Sequence, residues 1–170
     1  MKTILCIGGS ASSNSSNAQL LHALADWCSG TRKMEVYEGL QHLPLFSPDL
    51  QEAGIPETVL DLLKKVSLAD AVIISTPEYL HNIPAVLKNA LEWMTTSGEL
   101  ADKPVLPITF TPSAPRGEYA MRSLLQSLTA LKARIVAELP LYRNQMNIEE
   151  GKTSITLEQR MLLEAALDLL

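Results

Sequence analysis

Between Gly8 and Asn17 the chain collects hydrogen-bonding groups too densely for an ordinary turn. Ser10, Ser12, Ser13, Ser15 and Ser16 offer five hydroxyls, and Asn17 adds an amide. An apolar run precedes them at residues 3–7. Leu20, Leu21, Leu24, Trp27 and Cys28 follow at helical spacing. The segment therefore reads as strand, polar loop and helix start. Backbone N–H groups at a helix N-terminus lack partners and carry positive partial charge. With the hydroxyls they would form a pocket for a phosphate. The competing reading is a solvated turn in which Ser16 or Asn17 caps the helix. A cap needs one hydroxyl, and five favour the phosphate. Two further segments invite chemistry. In TPEYLH, Pro77 turns the chain after a strand, and Glu78 and Tyr79 follow at the rim of the expected pocket. Tyr79 offers an aromatic face to a planar ligand. In TPSAPRGEYA, Thr111, Ser113 and the nearby backbone would border a ring, and Arg116 is a candidate for an anionic cosubstrate.

The elements that must position these residues follow from hydrophobic periodicity. Strand-like apolar runs occupy residues 3–7, 34–37, 71–75, 105–110 and 135–139. The central ones are continuous, as expected where helices cover both sheet faces. Helical patterns fall at about 56–66, 83–94, 121–131 and 157–170, with Pro56 suited to a first turn. Strands alternating with helices imply a parallel sheet. The expected fold is a single α/β domain over residues 1–170. It is a flavodoxin-like three-layer sandwich with a five-stranded parallel sheet of order 2-1-3-4-5. Residues 39–55 and 140–155 read as long connections. Ligands of such sheets sit outside the carboxyl ends of the strands at the switch point. Loops 8–17, 76–84 and 111–119 meet there.

Fourteen Lys and Arg against nineteen Asp and Glu give a net charge of -5, with no basic cluster. This argues against nucleic acid or an acidic membrane as partner. No apolar run approaches a membrane span, and residues 1–20 show no signal-peptide pattern. Cys6 and Cys28 are isolated, with no C-x-x-C, which suits packing residues in a reducing cytoplasm. His22, His42 and His81 lack metal-ligand spacing, so no metal is expected. There is no G-x-x-x-x-G-K-[ST], no G-x-G-x-x-G and no G-x-S-x-G. Cys6 is not followed by the arginine that a thiolate phosphatase loop would need, because position 12 is Ser.

Three segments taken together resemble the NADPH-dependent FMN reductase family. Gly9-Ser10 with Ser15 and Asn17 is similar to the family's G-S-x-R-x-x-S-x-N loop. Pro77-Glu78-Tyr79, then Pro84-Ala85 and Leu87-Lys88-Asn89-Ala90-Leu91-Glu92-Trp93, resembles its P-E-Y-N-x-x-x-P-x-x-L-K-N-A-[IL]-D-W segment. Leu43-Pro44-Leu45-Phe46 with Asp49-Leu50 resembles its L-P-L-Y-x-x-D-L stretch. The resemblance implies FMN in the switch-point cleft, its phosphate on residues 10–17 and its ring against residues 77–80 and the loop after the fourth strand. It implies hydride passed from NADPH or NADH through FMN to free flavin, a quinone or an azo compound. No side chain is then required as acid or base, because the cofactor carries the hard chemistry. A homodimer or homotetramer is also implied. Four positions depart from the pattern. Ser12 replaces an Arg, Leu80 replaces an Asn, and in the family's glycine-rich third loop Ser113 and Gly117 fit the pattern while Pro115 and Glu118 replace glycines. These departures support a second reading, a non-catalytic flavodoxin-fold binding or assembly protein with weakened FMN binding.

Overall fold

The computed structural model describes residues 1–12, 15–149, 152–155 and 157–170. Strands β1 (Thr3–Gly8), β2 (Lys33–Tyr37), β3 (Ala71–Thr76) and β4 (Pro104–Thr111) pair in parallel in the order β2-β1-β3-β4. Every residue of β3 is buried, so both faces of this strand are covered. Helices α1 (Ser16–Cys28) and α6 (Leu157–Asp168) cover one face, against Ile4, Cys6, Ile73 and Ile108. Helices α3 (Glu57–Leu68), α4 (Ala85–Trp93) and α5 (Glu118–Ala130) cover the other, against Leu5, Ile7, Val72 and Ile74. Successive residues of β1 thus enter different cores, as the pleat requires.

The fifth position in the sheet differs from the expected run at 135–139. It is divided into β5 (Arg134–Ile135) and β6 (Leu139–Tyr142), and both pair with β4. Ile135 lies opposite Val105 and Leu139 opposite Ile108, so this edge carries one residue more than β4 between those pairs. That extra residue is a bulge, and it interrupts the ladder at 136–138. The paired strand resumes at Leu139 and ends three residues later than expected, beside the end of β4.

The connection at 39–55 contains a helix that periodicity did not reveal. α2 (Pro48–Ala53) is capped by Ser47, whose hydroxyl accepts from Leu50 N, and begins with Pro48. None of its six residues is buried, so it has no apolar stripe to read. Pro56 precedes α3 as its cap residue rather than joining its first turn. The connection at 140–155 holds the end of β6 and an antiparallel hairpin, β7 (Met146–Glu149) with β8 (Lys152–Ile155).

The segment at 43–46 is fastened to α4 by side chains. Asn89 Nδ2 donates to Pro44 O (3.0 Å), and Asn89 Oδ1 accepts from Phe46 N (2.8 Å). Trp93 Nε1 also donates to Pro44 O (2.9 Å), and the Phe46 ring stands edge-on to Trp93 at 5.2 Å. Two motifs more than forty residues apart in sequence thus form one clamp.

Candidate functional site

Buried polar side chains are concentrated at the carboxyl edge of the sheet. Among the described residues they are Asn17, Ser75, Thr76, Asn89, Thr109 and Thr111. All but Asn89 lie at the ends of β3 and β4 or at the start of α1. An edge with such polarity beneath it can hold a polar ligand, because buried polar groups persist where they are hydrogen-bonded.

The first loop leaves β1 through Gly9, whose N–H donates to Ser75 O (2.7 Å). A Cβ at Gly9 would lie 2.8 Å from Leu87 Cδ2 and 3.0 Å from Thr76 Oγ1, so only glycine fits. Ser10 Oγ accepts from Ser12 N (3.2 Å), and Ser15 N donates to Ser12 O (3.2 Å). Ser15 is the N-cap of α1: its hydroxyl accepts from Ala18 N (3.1 Å), and its carbonyl accepts from Gln19 N. Among the described residues, the N–H groups of Ser16 and Asn17 find no acceptor. These two N–H groups and the exposed Ser12 are the donors a phosphate would meet. Ser13 lies outside the described residues. The side chain of Asn17, unlike its N–H, is taken up by the sheet. It is buried, accepts from Ser75 Oγ (2.7 Å) and donates to Phe110 O (3.2 Å). It ties the start of α1 to β3 and β4 from beneath the loop.

The second loop folds into a tight turn. Tyr79 and Asn82 exchange both backbone hydrogen bonds at 2.9 Å, with Leu80 and His81 between them at φ 51° and 58°. Two positive φ values between paired residues are the signature of a type I′ turn, which normally takes Asn and Gly. Leu80 is 99% exposed and Tyr79 is 56% exposed, at the rim. Pro77 accepts a bond from Thr76 Oγ1 at its carbonyl. The Glu78 carboxylate accepts from Gly117 N, Tyr119 N and Ala120 N at 3.0–3.2 Å. His81 lies against the Tyr119 ring (centroids 4.5 Å apart), and Asn82 Oδ1 accepts from Ser123 Oγ (2.6 Å).

The third loop crosses the end of β4 with a cis Ala114–Pro115 bond. Thr111 is buried, and its hydroxyl donates to Arg116 O (2.8 Å). Ser113 is half-buried, and its carbonyl accepts from Arg116 N (3.1 Å). Gly117 caps α5 at φ 107°, and a Cβ there would stand 2.9 Å from Thr109 Oγ1. Both the dihedral and the space demand glycine. Arg116 is exposed. Thr109, Ser75, Tyr119, Asn82 and Ser123 all support the site, and sequence reasoning did not single them out. For Ser75 and Thr109 a signal was present, a hydroxyl residue near the carboxyl end of an apolar run. Tyr119, Asn82 and Ser123 carried none, because their partners lie about forty residues away. Among the described residues no group of His, Cys, Asp and Glu could hold a metal, and no helix is long and apolar enough to cross a membrane.

Residues 2–145 match the family described as NADPH-dependent FMN reductase. The chain is 40% identical over 135 residues to the NADH:(hydroxy)cinnamate reductase subunit CrdA of Vibrio ruber, covering 78% of this chain and 66% of that one. It is 31% identical over 134 residues to a quinone reductase of Escherichia coli, covering 75% of this chain and 71% of that one. The fold is similar to that of FerB, a flavoenzyme NAD(P)H:(acceptor) oxidoreductase from Paracoccus denitrificans. The TM-score is 0.85 at 23% identity, over 99% of this chain and 95% of that chain.

Proposed function

The chain belongs to the NADPH-dependent FMN reductase family, and on that premise we propose that it is an NAD(P)H-dependent oxidoreductase using FMN and reducing a quinone-class small molecule. When bound, FMN supplies two-electron transfer between nicotinamide and acceptor. The observation that carries this reading is the convergence of three loops on one polar edge, with the α1 N-terminus aimed into the first of them.

The residues present fit the cofactor. The N–H groups of Ser16 and Asn17 and the hydroxyls of Ser10, Ser12 and Ser16 bind its phosphate, while Ser15 holds the helix start in place. Holding an anion by neutral donors and a helix dipole is consistent with a loop that contains no Lys or Arg. Pro77, Glu78, Tyr79 and Leu80 form one wall for the ring, and Thr111, Ser113 and Gly117 form the other. Glu78 acts in that wall by fixing it, since its carboxylate is engaged by α5. No side chain is asked to move a proton. The exposed apolar groups Tyr79, Leu80 and Tyr119 support a homodimer or homotetramer formed over this rim. Two buried free cysteines support a cytoplasmic location. The three loops belong to one sheet, which supports reading residues 1–170 as one domain.

The test is a visible absorption spectrum before and after incubation with FMN and desalting. NADH and NADPH oxidation is then measured with a benzoquinone and with a cinnamate as acceptor. Retained flavin and quinone-dependent oxidation are expected. A colourless protein that binds no FMN on titration would instead favour the non-catalytic binding or assembly protein that Ser12, Leu80, Pro115 and Glu118 suggest.

A further inference from the structure

Helix α5 begins without a capping side chain, because its N-cap is Gly117. Its first N–H groups would need water or a partner from elsewhere. The partner comes from about forty residues upstream. Glu78 Oε2 accepts from Gly117 N (3.2 Å), Tyr119 N (3.0 Å) and Ala120 N (3.1 Å). The Glu78 side chain is 11% exposed, and its other oxygen lies 3.5 Å from His81 Nδ1. A carboxylate on helix N–H groups is a charge-assisted contact reinforced by the helix dipole. Two weaker ties run alongside it, His81 on the Tyr119 ring and Asn82 on Ser123 Oγ.

The same turn carries Leu80 and His81 at positive φ. Non-glycine residues in that region are strained and persist only where their surroundings hold them. The surroundings here are α5, and the tie that is both charged and shielded from water is Glu78. The turn bears Tyr79 and Leu80, while α5 starts at the end of the Thr111–Gly117 loop. These are the two walls assigned to the ring.

We propose that Glu78 is a positioning residue that locks the two ring-facing loops into one unit, so that FMN affinity depends on its carboxylate acting through α5 and the turn. This rests on the FMN reading above.

The experiment compares Glu78→Ala, Glu78→Gln and Glu78→Asp with wild type and with Lys88→Ala, an exposed control on α4 whose partner is Glu92. FMN affinity is measured by quenching of flavin fluorescence, well below the unfolding temperature. Amide hydrogen exchange is measured on the protein without FMN. Glu78→Ala should raise the FMN Kd by about tenfold or more. It should also speed exchange at Tyr119 and Ala120 by about tenfold, with the amides of β1 and β3 within about twofold of wild type. Glu78→Gln keeps an oxygen acceptor but loses the charge, so its Kd should fall between those of alanine and wild type. Glu78→Asp is one methylene short of the helix. It should shift the Kd the same way as alanine, and it remains readable if the alanine variant does not fold. Lys88→Ala should match wild type. Wild-type FMN affinity in Glu78→Ala, together with faster exchange at α5, would overturn the lock while leaving the FMN reading intact. Protection lost evenly across the sheet, with no rescue by Gln, would reduce Glu78 to a general stabiliser. A wild-type protein that binds no FMN would remove the FMN reading itself and the lock with it.

Discussion

Asn17 shows how much of the phosphate loop is decided underneath it. Its amide accepts from Ser75 Oγ and donates to Phe110 O, so α1, β3 and β4 meet at one buried side chain. Asn17→Ala leaves a buried hydroxyl and a buried carbonyl without partners, at a cost of about 1–3 kcal/mol. A lower urea midpoint with an unchanged m-value is the expected result, and an unchanged midpoint would mean that water replaces the amide. Ser12 poses the opposite case. It is exposed, and among the described residues only its backbone is engaged, by Ser10 Oγ and Ser15 N. Ser12→Arg therefore introduces a charged donor without disturbing packing. FMN affinity should rise by about tenfold, because bonds to charged groups are worth more than neutral ones. A titration showing no gain would place position 12 away from the phosphate. The hydroxyl-rich loop was legible in the sequence. The division of labour within it was not: Asn17 faces Ser75 and Phe110, which only the fold brings near, and the helix cap is Ser15 rather than Ser16 or Asn17.

The elements divide in the same way. α1, α3, α4 and α5 each carry a buried stripe long enough to read, and each lies where its periodicity places it. α2 has no buried residue and the fifth strand carries a bulge, so periodicity alone missed the first and mis-set the second. The clamp between 43–46 and α4 explains why these two motifs occur together: Asn89 serves the backbone on both sides of Leu45, and Trp93 adds a donor to Pro44 O. Asn89→Ala should release this segment. Limited proteolysis within 43–55 is expected to speed up while the sheet keeps its far-UV signal, and equal cleavage rates would show that the Phe46–Trp93 contact suffices. Helix α3 ends on a comparable device. Lys103 Nζ donates to Val66 O, Ser67 O and Ala69 O at 2.6–3.0 Å, placing a cation on the orphan carbonyls of the last turn. Lys103→Met keeps much of the stem but removes these donors. A loss of about 1–3 kcal/mol in chemical denaturation is the expected cost.

At the scale of the molecule the sheet order was legible because five apolar runs alternate with helical stripes, and that pattern leaves few topologies open. The placement of the two cores adds a consequence for stability. Cys6 is fully buried in the core beneath α1 and α6, in the same cluster as Cys28. Burial, and then the neighbouring Cys28, push its thiol up from 9.0 to about 12. Burial also raises Cys28. In the unfolded chain both thiols ionise near 9.0. Above that pH the unfolded state releases protons that the folded state retains, so the folded state loses ground. The contribution of Cys6 is therefore complete below pH 9.0 and declines as the pH climbs toward about 12. Cys6→Ala removes this titration along with a buried sulfur. The variant should be less stable than wild type near neutrality, because a small cavity replaces the thiol. The gap between their urea midpoints should narrow as the pH rises from about 8 to about 11, because only wild type carries the declining contribution of Cys6. A gap that stays constant across that range would mean that the thiol reaches solvent before the sheet opens, and that this core is less tightly closed than its burial implies.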